Sequence, residues 1–272
     1  MNGERLHYPA PGLVSGLTHR VKPGDGGLKL LSLDTVRLDE GQQQMIGGDA
    51  RERVVVLLSG RLEIRAPNLE PLSIGPRPSV FEERAWAVYL PRGCGATFRA
   101  STASDLAVAS APAKRAFLQP QIITPADVRE KLVGRGNWSR QVYDVVGGDF
   151  PAEHLIVGET LNPPGNWSSS PPHKHDRHDP PHESDFEEVY LYRLEPRQGF
   201  GLQRVYDPDS SNGTAVDHTY AVKHDDVVAL PRGYHPVVAA PGYRLYYLWV
   251  LAGDGRDPVW FEDPDHAWIH DQ

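Results

Sequence analysis

Several features that mark common protein classes are scarce or missing in this sequence. Cys94 is the single cysteine, so no intrachain disulfide can form, and we expect a protein of the reducing cytoplasm. No run approaches the roughly 18 apolar residues of a membrane-spanning helix, and the N-terminus lacks the layout of a secretory signal. The 28 Lys and Arg are outnumbered by 36 Asp and Glu. The resulting net charge of -8 argues against nucleic acid as a partner.

The motifs of several enzyme classes are also missing. There is no Walker-type glycine-rich loop, no dinucleotide-binding fingerprint and no G-x-S-x-G nucleophile elbow. Cys94 lies in a stretch without histidine, because no histidine occurs between His19 and His154. We therefore expect neither a Cys/His nucleophile nor a nucleotide cofactor.

Proline, glycine and short apolar runs are abundant instead. The 272 residues include 25 Pro and 26 Gly, which is typical of many short strands joined by turns. The tetrapeptide Leu-Pro-Arg-Gly occurs twice, at residues 90–93 and 230–233, and each copy follows a strand-like run. Further strand-like runs precede the two copies, at 54–64 and 188–194. This repeated order predicts a duplicated small β-barrel.

A short helix is predicted between the two repeats, over residues 123–134. Thr124 is a suitable N-cap, Pro125 fits the first helical turn, and Gly134 fits the C-terminal end. The sequence thus predicts a first barrel over residues 1–122, a linker with this helix over 123–150, and a second barrel over 151–272.

The second half carries a pattern of metal-binding residues. His173 and His175 follow two prolines, and residues i and i+2 of a strand project to the same face. Glu188 begins an alternating strand-like run, and His235 follows a Pro-x-Gly turn. Neutral imidazoles and a carboxylate suit a divalent zinc, manganese or iron ion. We expect these four residues to bind one such ion, and the first barrel to bind none.

Other residues near this pattern are candidates for catalysis. Glu187 faces away from Glu188 on a strand, and Glu187 or Glu183 is an alternative ligand or a general base. Tyr234, next to a predicted ligand, is a candidate proton relay or hydrogen-bond donor.

Four basic residues could bind a substrate carboxylate, although each could equally be a solvated surface charge. They lie beside the predicted ligands or on neighbouring segments, and they are Lys174, Arg177, Arg204 and Arg232.

An H-x-H pair, then Glu, then His after a Pro-x-Gly turn resembles the cupin superfamily. The spacing is unusual, with twelve residues between His175 and Glu188 and one between Gly233 and His235. In both respects, and in the runs at 165–176, 187–190, 231–236 and 241–248, the chain is similar to the 5-deoxy-glucuronate isomerases of bacterial inositol catabolism. The related uronate ketol-isomerases share the ligand pattern.

This resemblance implies an all-β bicupin fold, with two double-stranded β-helix (jelly-roll) barrels. It also implies an aldose–ketose isomerisation between 5-deoxy-D-glucuronate and 5-dehydro-2-deoxy-D-gluconate. The expected substrate is a small anionic sugar acid, and the expected cofactor is one divalent ion, with zinc ahead of manganese and iron. Such an ion acts as a Lewis acid for enediol chemistry, while a nearby group moves the proton. Assembly into a homo-oligomer is left open.

Two other functions compete with the isomerase. A cupin dioxygenase would use similar ligands around Fe(II), and iron content and oxygen consumption would distinguish it. A sugar-sensing protein would need a DNA-binding module, for which two barrels leave no room in 272 residues.

Overall fold

The computed structural model describes residues 5–67, 70–115, 119–208, 216–253 and 255–271. These residues form 23 β-strands and three short 3-10 turns, at Asp25–Gly27, Gly136–Trp138 and Ala267–Asp271. In the described part of the chain, no helix has the length and apolar character needed to cross a membrane. The predicted all-β class is confirmed.

The first half of the chain forms one curled sheet. Nine strands belong to it, in the order β10-β7-β5-β9-β3-β2, with β6 and β8 paired to β5 and β4 paired to β8. The strands of this half, together with the short β1, are β1 (His7–Tyr8), β2 (Gly16–Val21), β3 (Ser32–Leu38), β4 (Gln43–Gly47), β5 (Arg51–Arg65), β6 (Leu72–Arg77), β7 (Trp86–Leu90), β8 (Gly95–Ala100), β9 (Ser104–Pro112) and β10 (Gln121–Ile123). The long β5 continues through Gly60, whose positive φ of 102° and close approach to Ser104 leave no room for a side chain.

The second half contributes thirteen strands to three sheets. They are β11 (Arg129–Val133), β12 (Arg140–Val146), β13 (Ile156–Asn162), β14 (Trp167–Ser168), β15 (His173–Lys174), β16 (Asp176–Asp179), β17 (Glu183–Glu195), β18 (Gly201–Asp207), β19 (Val216–Val222), β20 (Val227–Leu230), β21 (Val237–Ala239), β22 (Arg244–Gly253) and β23 (Phe261–Glu262). The main sheet has the order β1-β20-β17-β22-β13-β12-β11, with β16 on β17. A four-stranded sheet, β14-β21-β18-β19, and the pair β15-β23 complete this half.

The predicted linking helix is wrong. After β10, Asp127 accepts hydrogen bonds from the backbone and hydroxyl of Thr124, and the Asp127 N–H donates to the Thr124 carbonyl. This tight turn leads directly into β11, which pairs with β12 along its whole length. The Thr-Pro-x-Asp signal fits a turn as well as a helix start, and strand pairing satisfies the backbone of 129–133.

The two halves share one apolar core. Its buried side chains include Val54 and Val56 of β5 together with Val189 and Leu191 of β17. The N-terminal β1 pairs with β20, so the start of the chain completes the sheet of the second half. Removing either half would expose apolar surface of the other.

Buried carboxylates tie the halves together reciprocally. Glu52 of β5 accepts three backbone N–H groups from residues 153–155, at 2.6–2.9 Å. Glu187 of β17 accepts three backbone N–H groups from residues 29–31, at 2.5–2.7 Å. A buried ion pair, Arg77–Glu159 at 2.8 Å, also joins the halves. Charge-assisted hydrogen bonds of this kind are among the stronger polar contacts in proteins.

Candidate metal centre

Three of the four predicted metal ligands meet in one buried group. His175 follows β15, Glu188 lies in β17, and His235 follows the turn after β20. Their ligand atoms all lie within 4.8 Å of one another. Glu188 Oε2 is 3.2 Å from His175 Nε2 and 3.3 Å from His235 Nε2. Atoms bound about 2.1 Å from one ion lie about 3.0–3.4 Å apart, so this spacing suits a shared ion.

The orientation of both imidazoles fits metal binding. His175 Nδ1 lies 2.9 Å from the Phe186 carbonyl, and His235 Nδ1 lies 2.9 Å from the Gly233 carbonyl. A carbonyl only accepts, so each Nδ1 carries the hydrogen and each Nε2 presents its lone pair to the Glu188 carboxylate. His235 Nε2 is buried and makes no hydrogen bond to any of the described residues. A cation satisfies acceptors that face one another in this way, either a metal ion or a proton on His175 Nε2.

The electrostatics of the group lead to the same conclusion. Burial lowers the pKa of His235 to about 3, so its imidazole is neutral, as a ligand must be. Burial also lowers the pKa of His175, but the hydrogen bond and charge of Glu188 outweigh it and raise that pKa. The Glu188 carboxylate thus favours a positive charge next to it. A divalent ion bound between Glu188 and His175 would supply that charge in place of a proton on His175.

His173 lies beside this group rather than within it. Its ring centroid is 5.1 Å from that of His235 and 5.5 Å from that of Trp260. Burial lowers its pKa to about 3, so this imidazole is neutral too. His173 and Glu188 both line a cavity of about 250 Å³, which gives the group access to a small molecule.

Two tyrosines form one wall of the cavity. The rings of Tyr190 and Tyr247 lie 4.4 Å apart, and Tyr190 is 6.0 Å from the His235 ring. Their hydroxyls contact Ser169 and Ser168 respectively. Burial raises the pKa of both phenols, which therefore keep their protons. Both tyrosines belong to the apolar core of this half as well as to the cavity lining.

Another part of the cavity wall comes from β11 and β12, which the sequence predicted to be a linker. It presents Lys131, Arg140 and Asp144 to the cavity. Lys131 pairs with Asp144 at 2.6 Å. Arg140 is 8% exposed and donates to the Trp138 carbonyl at 3.1 Å. The alternation of Arg140, Val142 and Asp144 along β12 is the one sequence signal that could have placed them on a common face.

The carboxylates predicted as possible bases have other partners. Glu187 points to the first half, where residues 29–31 bind both of its oxygens. Glu183 accepts from Lys174 Nζ at 2.7 Å, and Lys174 also contacts Asp176 at 2.6 Å. Asp176 in turn accepts from the Gly233 N–H at 2.6 Å. This trio thereby fixes the His175 segment against the turn that carries His235.

The remaining predicted residues also lie outside the cavity lining. Tyr234 stacks on Tyr206, with 5.1 Å between ring centroids. Arg177 lies 3.2 Å from Asp179, Arg204 pairs with Asp217 at 2.9 Å, and Arg232 lies in the turn that follows β20. None of the described residues that line the cavity is one of these.

The fold and the site together define a cupin-like protein with a candidate metal centre. An oxalate decarboxylase from Lactobacillus farciminis, 11% identical, superposes with a TM-score of 0.66 over 95% of this chain and 88% of its own. At this identity the match concerns the fold alone. An IolB-like protein from Salmonella typhimurium LT2 is 36% identical, with a TM-score of 0.92 over 98% of this chain and 99% of its own.

The chain belongs to the KduI/IolB family, whose model matches residues 9–269. Relatives named 5-deoxy-glucuronate isomerase are similar over almost the whole chain. The relative from Geobacillus thermodenitrificans is 40% identical over 92% of this chain and 90% of its own. The one from Bacillus subtilis strain 168 is 33% identical over 93% of this chain and 92% of its own.

Proposed function

We propose that this protein is a 5-deoxy-glucuronate isomerase of myo-inositol catabolism. It converts 5-deoxy-D-glucuronate to 5-dehydro-2-deoxy-D-gluconate, an aldose–ketose isomerisation without a redox cofactor. The observation that carries the proposal is the buried group of His175, Glu188 and His235 beside a small cavity. Family membership and the relatives' shared name support it.

One divalent ion binds to this group in the proposed enzyme. His175, Glu188 and His235 supply three ligands, and the neighbouring neutral His173 supplies the fourth. Three imidazoles and one carboxylate suit zinc, with manganese and iron as alternatives. When bound, the ion supplies Lewis-acid polarisation of the substrate's carbonyl and neighbouring hydroxyl.

The cavity residues bind and orient the sugar. Tyr190 and Tyr247 keep their protons, so their hydroxyls donate hydrogen bonds to substrate oxygens on which negative charge develops. Trp249 and Trp260 line the same cavity and limit the access of water to the reacting carbons.

Catalytic roles for Glu183, Glu187 and Tyr234 stay predictions, as do carboxylate-binding roles for Lys174, Arg177, Arg204 and Arg232. The contacts of Glu183 and Lys174 favour a supporting role, in which they hold the ligand segments together. Those of Glu187 favour a structural role between the halves.

The domain division is part of the proposal. We assign two cupin barrels, with the change between them after residue 122. Residues 123–150 contain the first strands of the second sheet, because β11 pairs with β12 and β12 with β13. Matching register supports the two barrels: Arg53 lies opposite Leu90, and Glu188 lies opposite Leu230, the leucines of the two Leu-Pro-Arg-Gly copies.

Proton NMR of 5-deoxy-D-glucuronate tests the proposal. Turnover should disappear after chelation and return with zinc or manganese, in anaerobic buffer without nicotinamide. His235→Ala should lose both metal and turnover, whereas His218→Ala, which changes an exposed histidine, should keep both. Turnover that needs oxygen would instead favour the dioxygenase, and full activity without any metal would refute the proposal.

A further inference from the structure

The guanidinium of Arg140 is buried without an acidic partner among the described residues. Its Nη1 donates to the carbonyls of Trp138 and Ser170, at 3.1 and 3.4 Å. Its Nε is buried and has no hydrogen-bond partner in the part of the chain that the structure describes. Two of the other buried arginines have acidic partners, since Arg77 pairs with Glu159 and Arg193 with acidic side chains. The third, Arg20, donates to backbone carbonyls and lies near enough to Asp225 and Asp226 for their charges to act on it. An unpaired buried charge is costly, so this arrangement calls for an anion that is not part of the chain.

The unused edge of Arg140 has the geometry for a carboxylate. Hydrogen bonds to protein groups involve Nη1, whereas Nε and Nη2 make none within the described residues. Nε–H and the adjacent Nη2–H form the parallel pair of donors that binds two carboxylate oxygens at once.

The position of Arg140 relates it to the metal centre. Arg140, His173 and Glu188 line the same cavity, with Tyr190 and Tyr247. A small sugar acid can therefore contact the metal ligands and Arg140 together.

The other cation of the cavity is already neutralised. Lys131 is the only further Lys or Arg among the described lining residues, and its ammonium lies 2.6 Å from Asp144.

The backbone near Arg140 leaves room for the guanidinium. Gly134 has a φ of +80°, and a Cβ there would lie 3.0 Å from Arg140 Nη1 and 2.3 Å from the Trp138 carbonyl oxygen.

We propose that Arg140 binds the carboxylate of the acidic sugar through Nε and Nη2, and so directs the reacting end of the sugar to the His175–Glu188–His235 group. This inference rests on the proposed function for the identity of the substrate. It assigns the preference for an acidic sugar over a neutral one to a single residue.

Kinetics of Arg140→Gln with 5-deoxy-D-glucuronate test the role directly. The loss of a charge-assisted bidentate contact should raise KM about 10- to 150-fold, with a much smaller change in kcat and unchanged metal content. Arg140→Lys keeps the positive charge but lacks the parallel pair of N–H donors, and it should give an intermediate KM. Arg129→Gln is the matched control, because this exposed arginine of β11 pairs with Asp149 outside the cavity lining, and its KM should stay within about twofold of that of the unmodified protein.

Calorimetric binding of D-glucuronate and of uncharged D-glucose separates this inference from the proposed function. The metal-loaded protein should prefer glucuronate, Arg140→Gln should lose that preference, and Arg140→Lys should show a reduced one, even if 5-deoxy-D-glucuronate is not turned over. Equal affinity of the unmodified protein for both sugars, or an undiminished preference in Arg140→Lys, would overturn the inference. If Arg140→Gln does not fold, Arg140→Lys and the two-sugar comparison in the unmodified protein decide the question.

Discussion

The two halves use equivalent strand positions for different purposes. Arg53, Val55 and Leu57 of β5 correspond in register to Glu188, Tyr190 and Tyr192 of β17. In the first half, Arg53 pairs with Asp49, and the residues beyond it are buried in apolar packing with Phe98 and Ile64. In the second half, the same positions carry a candidate metal ligand and buried phenols beside a cavity.

The turn after the repeated tetrapeptide shows the same divergence. Five residues after Leu90 the chain has Gly95, and five residues after Leu230 it has His235. The glycine of the tetrapeptide donates its backbone N–H in both turns, but to different kinds of acceptor. Gly93 donates its N–H to the Asp49 backbone carbonyl, whereas Gly233 donates to the Asp176 side chain.

One feature is the same in both halves. Glu52 and Glu187 precede Arg53 and Glu188, and each accepts three backbone N–H groups from the opposite half. The comparison therefore separates two uses of adjacent carboxylates in β17. Glu187 joins the two halves, as Glu52 does, whereas Glu188 belongs to the candidate metal group.

The largest effect is expected for Glu188→Gln. A neutral amide replaces the carboxylate between two imidazole nitrogens, so we expect metal content to fall to background and kcat/KM to fall by at least about 10²-fold. Elemental analysis and the NMR assay measure both. Arg53→Gln changes the corresponding residue of the first half and should leave metal content and turnover unchanged. Equal loss of metal in Glu188→Gln and Arg53→Gln would contradict the difference between the two halves.

Glu52→Gln and Glu187→Gln should both lower stability. Each removes a charged acceptor from three N–H groups, and we expect a loss of about 1.5–3 kcal/mol in the free energy of unfolding, measured with denaturant. Turnover of folded Glu187→Gln should stay within about threefold of the unmodified protein. If Glu187 were the general base, Glu187→Gln would instead lower kcat by about 10²–10⁴-fold and leave the stability unchanged.

Asp176→Asn should weaken the metal site without destroying it. Asp176 holds the His235 turn through Gly233 and contacts Lys174, so the change loosens the positions of two ligands. Groups that orient metal ligands typically contribute about 10- to 100-fold in affinity, and competition with a chelator of known affinity measures the loss. Asp49→Asn is the counterpart in the first half and should leave metal affinity unchanged.

Tyr234→Phe should have the smallest effect. The Tyr234 ring stacks on Tyr206 and lies outside the cavity lining, so its hydroxyl is not placed to contact a substrate in the cavity. We expect kcat within about twofold of the unmodified protein. A tenfold fall would restore Tyr234 as a proton relay, whereas Tyr190→Phe, on the cavity wall, should lower kcat more.

Sequence patterns predicted the parts of this account that depend on local spacing. Three of the four predicted ligands, His175, Glu188 and His235, have ligand atoms close together, whereas His173 of the H-x-H pair lies beside them. The repeated tetrapeptide predicted matched positions in the two halves. The β10–β11 segment was predicted as a helix because its turn begins with residues that also cap helices.

Other features depend on contacts between distant segments, which sequence spacing does not encode. Arg140 faces the cavity because β12 pairs with β13 at the edge of the main sheet. Glu187 is occupied because residues 29–31 of the other half lie against it. The alternation along β12 groups Arg140 with Val142 and Asp144 but does not show that this face meets the cavity, and Arg140 was not predicted as a site residue. Glu187 was predicted as an alternative ligand or base because it lies next to Glu188.

Anomalous diffraction from crystals of the unmodified protein, recorded at the absorption edge of the metal found by elemental analysis, tests the central claim most directly. The account predicts one strong peak between His175 Nε2, Glu188 and His235 Nε2, and no peak among residues 5–115. A peak in the first half, or a fully active protein without a peak at the three ligands, would contradict it.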